Sequence, residues 1–442
     1  MTLLPESSVA VEEEIPASLW NRARKLATGR ISYALADQVT YSFGNLVVAA
    51  LINRHATPWE FGIYILTQRV LDILIQMCNN VMWGPYIFNR PGLSQERQKL
   101  YLGSVFAVQM IFSVLMVLLL AGVARWCSTP SRGLYYGVFQ PLILTSAGIV
   151  FREFTRRMYF ADLRMKEAFW TDVATVVLQI AGVEWLYLRH SLNIPNTLFV
   201  LCAAAVFVSL WWLLQEWKTF AVGLKDIRED FVRNLHLGGW FVGSNMVFIA
   251  SSQWNPWVLS ALMGGVGVGM YSTCEQVINI PRVALVSVLN MMSPIMAQKY
   301  ADGGKVELDA LVKRFNRLFT LGSVLCAAVI MLIGPFVAKL IFKHIPGNAR
   351  TIMVVLALNF IALAATLPES YGLSAINRAG PTFYANLAGF MVQAGTAIWL
   401  IRSLQLPGAA AALLLGSIVV IVVRHLYYRK EFRTTGEPVR AA

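Results

Sequence analysis

The sequence predicts an all-α integral membrane protein with about twelve transmembrane helices arranged in two six-helix lobes. First, 57% of the 442 residues are hydrophobic, only 14% are charged, and the mean hydropathy is +0.57, whereas soluble domains average about 25% charged residues. Second, the apolar residues form long continuous runs, as expected of helices that satisfy their own backbone hydrogen bonds in lipid. Third, a short motif recurs at the same place in each half of the chain, which predicts an internal repeat.

The first 30 residues are predicted to form a cytoplasmic segment ahead of the first lobe. They contain Glu12, Glu13 and Glu14 and lack an apolar core, which is not the pattern of a cleaved signal peptide. Residues 18–29, SLWNRARKLATG, predict an interfacial helix leading into the first span. We therefore expect the first span itself to start membrane insertion.

Apolar runs divide the rest of the chain into spans of at least the ~20 residues that cross a bilayer, or close to it. They predict an N-lobe over 31–216, a cytoplasmic linker over 217–236, a C-lobe over 237–428 and a cytoplasmic tail over 429–442. The predicted spans are about 31–53, 59–88, 100–124, 134–151, 168–188, 197–216, 237–258, 264–297, 318–342, 350–376, 382–401 and 407–427.

The basic residues predict the orientation. About 27 of the 37 Lys and Arg residues fall on the side that carries both predicted termini, and about 8 fall on the opposite side. By the positive-inside rule, both termini are expected in the cytoplasm. The net charge of +13 is explained in the same way, and we expect no nucleic-acid partner.

Enzymatic motifs are missing from the sequence. It has no P-loop, which argues against ATP hydrolysis. Its five histidines are isolated and its five cysteines are scattered without metal-ligand spacing. We expect a protein that is not an enzyme and has no metal site or cofactor, apart from an open question of coupling to Na⁺ or H⁺.

The internal repeat appears at an offset of 207 residues. The segment GIYILTQRVLDIL, which starts at Gly62, aligns with GMYSTCEQVINIP, which starts at Gly269. Each segment begins the second span of its half, and six spans per half make both halves run in the same direction. The expected relation is a parallel repeat, and such lobes commonly rock about a shared cavity to give alternating access.

Polar residues concentrate in the first two spans of each half, although an ion at the bilayer centre costs at least about 2.5–3.5 kcal/mol. This pattern predicts a hydrated cavity between the lobes. The candidate substrate-binding residues are Arg30, Gln38, Asn45, Arg69, Gln76, Asn79, Asn279 and Arg282. The candidate coupling or charge-tuning residues are Asp37, Asp72, Glu275 and Glu369.

The arginines have two interpretations. A guanidinium stays charged and binds phosphate in a bidentate manner, which suits an anionic headgroup. Alternatively, Arg69–Asp72 and Glu275–Arg282 are structural ion pairs that lock helices together. The carboxylates likewise either titrate with H⁺ or Na⁺ or neutralise arginines. A further basic stretch, Phe151–Phe169, is predicted as a cytoplasmic connection that binds anionic lipid headgroups or receives the substrate.

Three stretches resemble bacterial polysaccharide flippases of the O-antigen type, in the MOP superfamily. They are RISYALADQVTYSFGNLVVAALINRHATPWEFGIYIL (30–66), FREFTRRMYFADLR (151–164) and LSAINRAGPTFYAN (373–386). The first contains the Asp37-Gln38 pair and the Gly62-x-Tyr64 motif of that family. The family usually keeps an acidic residue in the seventh span, where this chain has Asn255.

The resemblance implies a V-shaped flippase in the bacterial inner membrane. Its substrate would be an undecaprenyl-pyrophosphate-linked oligosaccharide for lipopolysaccharide or other surface polysaccharide synthesis. The transport unit would be a monomer, in contact with membrane lipids and with polysaccharide assembly proteins. Two alternatives stay open at this point: a multidrug or cation antiporter of the same superfamily, and a non-transporting membrane subunit of a polysaccharide assembly complex.

Overall fold

Helices account for nearly all of the described chain, as the long apolar runs predict. The computed structural model describes residues 17–433 apart from 91–92, 128–135, 218, 220, 222, 377 and 379. Within these residues there are twelve helical segments and no strand. The predicted fold class, all-α with two lobes, is confirmed.

The N-lobe contains the first six helices. They are α1 (Ala17–His55), α2 (Pro58–Cys78, continued by a π-helical turn over Asn79–Trp83 and by Gly84–Asn89), α3 (Gln95–Cys127), α4 (Tyr136–Ala161), α5 (Met165–Leu188) and α6 (Ile194–Glu216). The start of α2 is set by a capping box, in which the Thr57 hydroxyl accepts from the backbone N–H of Glu60 and the Glu60 carboxylate accepts from the N–H of Thr57. Pro58 then supplies the favoured first helical residue.

The C-lobe begins with one helical run, Leu224–Ile341, that two glycines divide. Gly264 and Gly304 have φ values of +68° and +65°, a conformation that side chains with a Cβ rarely adopt. The run thus forms α7 (224–263), α8 (265–303) and α9 (305–341). The remaining helices are α10 (Ala349–Ala375), α11 (Gly380–Leu404) and α12 (Leu406–Arg433).

The segment predicted as a linker, 217–236, is helical from Leu224 onward. The helical part packs on the N-lobe, where the Arg97 guanidinium lies 3.0 Å from an Asp226 oxygen and 2.7 Å from an Asp230 oxygen. The connection between the lobes is therefore much shorter than the sequence indicated, because α7 extends beyond its apolar stretch to reach α3.

Large apolar side chains cover the outer surface of the helices. Leu332, Leu214 and Met391 are 84%, 73% and 65% exposed. In water such a surface would be a strong aggregation hazard, whereas lipid solvates it. Nine helices in the described part are long and apolar enough to cross a membrane by length and composition. The chain is a multi-pass membrane protein.

The buried apolar residues form three clusters that reveal how the lobes meet. One cluster takes residues from both lobes, including Ile52, Phe61, Tyr271 and Phe342. It lies at the end of the molecule that carries the connections 56–57 and 342–348, which we term the joined end. The opposite end, which carries the described chain termini, is termed the open end.

At the open end each lobe has its own core. Tyr86, Tyr101 and Phe154 belong to the N-lobe cluster, and Met296 and Tyr428 belong to the C-lobe cluster. Because the lobes share a core at one end only, the described helices form a V that is closed at the joined end. Polar contacts reinforce the closure: the Asn53 carbonyl accepts from the backbone N–H groups of Lys343 and His344, at 2.8 and 3.1 Å.

Glycines allow α2 and α8 to cross at backbone distance. A Cβ on Gly62 would lie 1.7 Å from the Gly265 carbonyl oxygen, and one on Gly269 would lie 2.7 Å from the Pro58 carbonyl oxygen. Gly62 and Gly269 are 207 residues apart, and so are Pro58 and Gly265. The two contacts are therefore equivalent under the repeat that the sequence predicts, and the repeat places its axis at this crossing.

Candidate functional site

The junction between α2 and α8 holds an ion pair that joins the lobes. Arg69 on α2 donates from Nη2 to Oε2 of Glu275 on α8, at 2.5 Å. The two side chains are 18% and 23% exposed, so the pair lies at the edge of the shared core rather than inside it. Asp72 lies within electrostatic range of Arg69, and no ion pair of Asp72 occurs in the described part of the chain.

The observed partner of Arg69 differs from both pairings considered from the sequence. In place of Arg69–Asp72 and Glu275–Arg282, the structure joins Arg69 to Glu275 across the lobes. Residues 275 and 282 are about two helical turns apart on α8, roughly 10 Å along the axis, which separates their charged groups. Spacing along one helix could not indicate a contact between two lobes.

Arg282 lies on α8 at the same junction, in a different environment from Arg69. Its side chain is exposed, and it is within electrostatic range of Glu275 and Arg69. Among the residues that the structure describes, none forms an ion pair or hydrogen bond with its guanidinium. Arg282 is thus a charged group that is accessible and free to bind an anion.

The candidate amides lie on the helices that flank this junction. Gln76, Asn79 and Asn279 are half-buried on α2 and α8, and Asn79 opens the π-helical turn. On α1, Asn45 is exposed and Gln38 is half-buried. Arg30 is helical in α1, but its side chain lies outside the described residues. The substrate-binding roles of all these residues stay predictions.

Asp37 belongs to a buried charge network inside the N-lobe, away from the junction. Its Oδ2 is 2.6 Å from Nη2 of Arg156 on α4, and Nε of Arg156 is 2.9 Å from Oδ2 of Asp172 on α5. Asp172 also pairs with Arg152. Glu153 accepts from both arginines, at 3.2 Å each. Such surroundings favour a structural role for Asp37, although a coupling role is still a prediction.

This network lies partly in the stretch predicted to be a cytoplasmic connection. Residues 151–161 continue α4, and only residues 162–164 form the turn before α5. Arg152 and Arg156 are buried and contact the ring of Tyr41, with guanidinium-to-centroid distances of 5.1 and 4.9 Å. They do not form an accessible patch for lipid headgroups, because three acidic groups and an aromatic ring enclose them.

Asp172 was not among the candidates selected from the sequence. The signal was present, since Asp172 is a single acid within the apolar run TDVATVVLQIAG, and an intramembrane acid requires a partner. The pairing with Arg152 and Arg156 was not visible, because α4 and α5 are separate runs whose relative rotation is set by packing.

Glu369 lies in the C-lobe on α10, in a second buried polar group. Its Oε1 is 2.8 Å from Nδ1 of His425 and accepts from the Asn316 amide at 3.2 Å. On α12, Arg424 bonds to the Thr366 hydroxyl at 3.1 Å and to the Asn386 carbonyl at 3.0 Å. The structure thus separates Glu369 from the junction that holds Glu275.

Asn255, the residue that departs from the resembled family, donates to the Ala409 carbonyl at 2.7 Å and accepts from the Gln393 amide at 3.3 Å. An amide fulfils these neutral roles between α7, α11 and α12. In the described part of the chain, no group of three or more His, Cys, Asp or Glu residues could hold a metal ion.

The comparisons with known proteins give a family and a fold. A model of the family described as polysaccharide biosynthesis protein matches residues 26–299, which is more than half of the chain. A comparison with curated proteins finds no match. The matches to solved structures cover almost the whole chain.

Three of these structures are MOP superfamily transporters. An inward-facing multidrug resistance MATE family transporter is 15% identical, covers 90% of this chain and 96% of its own, and has a TM-score of 0.77. An outward-facing one is 14% identical, with 92% and 95% covered and a TM-score of 0.67. A MOP superfamily transporter from Pyrococcus furiosus, for which a reversed polarity of the binding pocket suggests a different function, is 14% identical, with 93% and 96% covered and a TM-score of 0.67. The chain has the MOP transporter fold.

Proposed function

Because this chain belongs to the polysaccharide biosynthesis protein family, we propose that it moves a lipid-linked oligosaccharide across the bacterial inner membrane by alternating access. The carrier would be undecaprenyl pyrophosphate, and the product would supply surface polysaccharide such as O-antigen. The family assignment supports the class of pathway, and the V-shaped fold supports the transport mechanism.

The observation that carries the proposal is the free guanidinium of Arg282 at the lobe junction. A buried arginine that serves only packing is neutralised, as Arg156 is by three carboxylates. Arg282 is exposed instead and lacks an ion pair among the described residues. A pyrophosphate has the charge and the oxygen geometry that a guanidinium binds best.

The V supplies the route for the headgroup. Its open end carries the chain termini, which the distribution of basic residues places in the cytoplasm. The pyrophosphate and sugars would enter between the lobes from that side, while the polyprenyl tail stays in lipid. Opening the joined end to release the substrate would require the Arg69–Glu275 pair and the glycine crossing to separate.

Glu275 and Asp72 would tune this positive charge. While Arg69 is paired with Glu275, Arg282 is the group that attracts the headgroup. An incoming pyrophosphate competes with Glu275 for Arg69 and so loosens the contact that holds the lobes together. Substrate binding would in this way favour opening at the joined end, since a ligand shifts a conformational equilibrium by its difference in affinity for the two states.

A complementation experiment tests the proposal. In a host whose own gene for this chain is deleted, the wild type should restore surface polysaccharide, and Arg282→Gln should reduce export about 10- to 100-fold, the loss expected for one charged hydrogen bond of roughly 1.5–3 kcal/mol. The lipid-linked oligosaccharide should accumulate on the cytoplasmic leaflet. Arg282→Lys should retain part of the activity, because it keeps the charge but not the bidentate geometry.

Arg402→Gln is the matched control, since Arg402 is an exposed arginine at the end of α11. It should export normally. Normal export by Arg282→Gln at normal protein levels would remove the headgroup role. Deletion that alters drug resistance and leaves polysaccharide unchanged would favour the antiporter, and export that persists in reconstituted vesicles without this chain would favour the accessory subunit.

A further inference from the structure

A cleft inside the N-lobe is the most distinctive feature that the proposed mechanism does not use. It is enclosed by α1, α2, α4, α5 and α6 and contains about 510 Å³ of unfilled space, part of it open to solvent. Ligand pockets typically have about 300–1,000 Å³, so the cleft is large enough for a small ligand.

Amide and hydroxyl groups dominate the polar lining of this cleft. Asn45, Gln68, Thr175 and Gln179 contribute side chains to it from three helices. The side-chain amides of Asn45 and Gln179 form no hydrogen bond to any residue that the structure describes. A primary amide offers two donors and one acceptor oxygen, and polar groups inside a membrane protein are costly to leave without partners.

Arg152 adds a further unused donor to the wall of the cleft. Its terminal nitrogens are occupied by Glu153 and Asp172, but the Nε–H group is buried and has no partner within the described chain. The charge of Arg152 is thus neutralised while a directional donor is left over. No carboxylate is among the residues that line the cleft, which disfavours a cationic ligand.

Apolar surface alternates with these amides. Val48, Ile149, Val176 and Leu201 complete the wall, together with the ring of Tyr64. A neutral ligand with many hydroxyl groups and apolar C–H faces fits such a wall, and a pyranose sugar has both properties. A charged headgroup or a wholly apolar molecule would leave one part of the wall without suitable contacts.

The cleft adjoins the junction through a single helix. Gln68 lines the cleft, and its neighbour Arg69 pairs with the C-lobe. Successive residues on a helix point about 100° apart, so α2 presents Arg69 to the space between the lobes and Gln68 to the interior of the N-lobe. We propose that the N-lobe cleft is a sugar-binding subsite, which holds residues of the glycan while the headgroup is at the junction; this inference rests on the proposed function.

Binding measurements in lipid nanodiscs test the subsite. The probes are the lipid-linked oligosaccharide extracted from the deletion strain and bare undecaprenyl pyrophosphate. Gln179→Leu removes the amide at similar volume and should weaken binding of the glycosylated lipid about fivefold, the loss of one hydrogen bond, with binding of the bare lipid unchanged. Thr175→Val is a second variant with the same expected direction.

Val177→Leu is the matched control, because Val177 is on the same helix and is 58% exposed on the outer surface. It should bind both lipids as the wild type does. Equal losses for both lipids in Gln179→Leu, or no loss for either, would overturn the subsite and leave the flippase proposal standing. Failure of the wild type to bind either lipid would overturn the flippase proposal and the subsite with it.

Discussion

Two pairs of arginines within the membrane have opposite environments. Arg152 and Arg156, inside the N-lobe, are buried and surrounded by Asp37, Glu153 and Asp172. Arg69 and Arg282, at the junction, are partly or fully accessible. The same side chain therefore serves two purposes in one protein.

The difference teaches that an intramembrane arginine is informative only with its partners known. Three carboxylates face the N-lobe pair and the adjacent Arg157, so this group is neutral and rigid. At the junction one arginine is matched by one acid from the other lobe, and the second is unmatched. A complete network stabilises one conformation, whereas an incomplete one is suited to exchange partners.

The largest expected effect comes from the buried network. Asp172→Asn should destabilise the N-lobe by about 3–5 kcal/mol, because it leaves two buried guanidiniums without their shared partner. The result would be measured as a lower midpoint of thermal unfolding in detergent and a smaller amount in the membrane. Glu96→Gln, the same type of change at an exposed site, should have almost no effect. A stable Asp172→Asn protein would break the distinction between the two pairs.

The glycine crossing should give the next largest effect. In Gly62→Ala the new Cβ overlaps the Gly265 carbonyl, and overpacking of this kind costs about 1–3 kcal/mol. We expect the joined end to open, which would appear as longer spin-label distances between the lobes at that end. Gly322→Ala on α9 meets no atom within 4 Å and should leave the distances unchanged. Unchanged distances in Gly62→Ala would show that the crossing does not control closure.

A smaller effect is expected from the ion pair between the lobes. Arg69→Gln or Glu275→Gln should each shift the same spin-label distribution toward opening by roughly 1 kcal/mol, since the pair is only half-buried. In a double-mutant cycle the two changes should be non-additive. Additive shifts would mean that the pair does not hold the joined end, and the junction arginines would then resemble isolated charges.

The smallest effect calibrates the others. Arg164, in the turn between α4 and α5, pairs with Glu167 and Glu216. Burial acts to lower the pKa of Arg164, but hydrogen bonds and charge contacts with these two acids raise it above the ordinary value, so the guanidinium stays charged. Glu167→Gln should change stability by about 0.5 kcal/mol or less, with the same thermal midpoint at low and high salt. A loss comparable to that of Asp172→Asn would mean that burial is not the deciding variable.

Much of the fold was predictable because it depends on local patterns. Apolar runs gave the helices, and the 207-residue offset gave the repeat, which the structure places at the Gly62–Gly269 crossing. The linker was less well predicted, since α7 extends beyond its apolar stretch to meet Arg97. The basic run after Phe151 was misplaced because its charges are buried by helices distant in sequence.

The candidate site was predictable in residue type but not in pairing. The sequence indicated that Arg69, Asp72, Glu275 and Arg282 belong together, because charges in apolar spans require a shared polar interior. It offered partners on the same helix, since only those distances are fixed by sequence spacing. The unused amides around Gln179 were not recognised, because Gln179 stands alone in its span.

By itself, the sequence determined that this protein spans a membrane many times, has two parallel halves and places charged groups within them. These properties follow from hydropathy and periodicity, which are local along the chain. Only the tertiary structure decided which arginine is neutralised, which is free, and where a polar cleft remains open. Those outcomes depend on the rotation and crossing of helices more than 200 residues apart, and packing between side chains sets them.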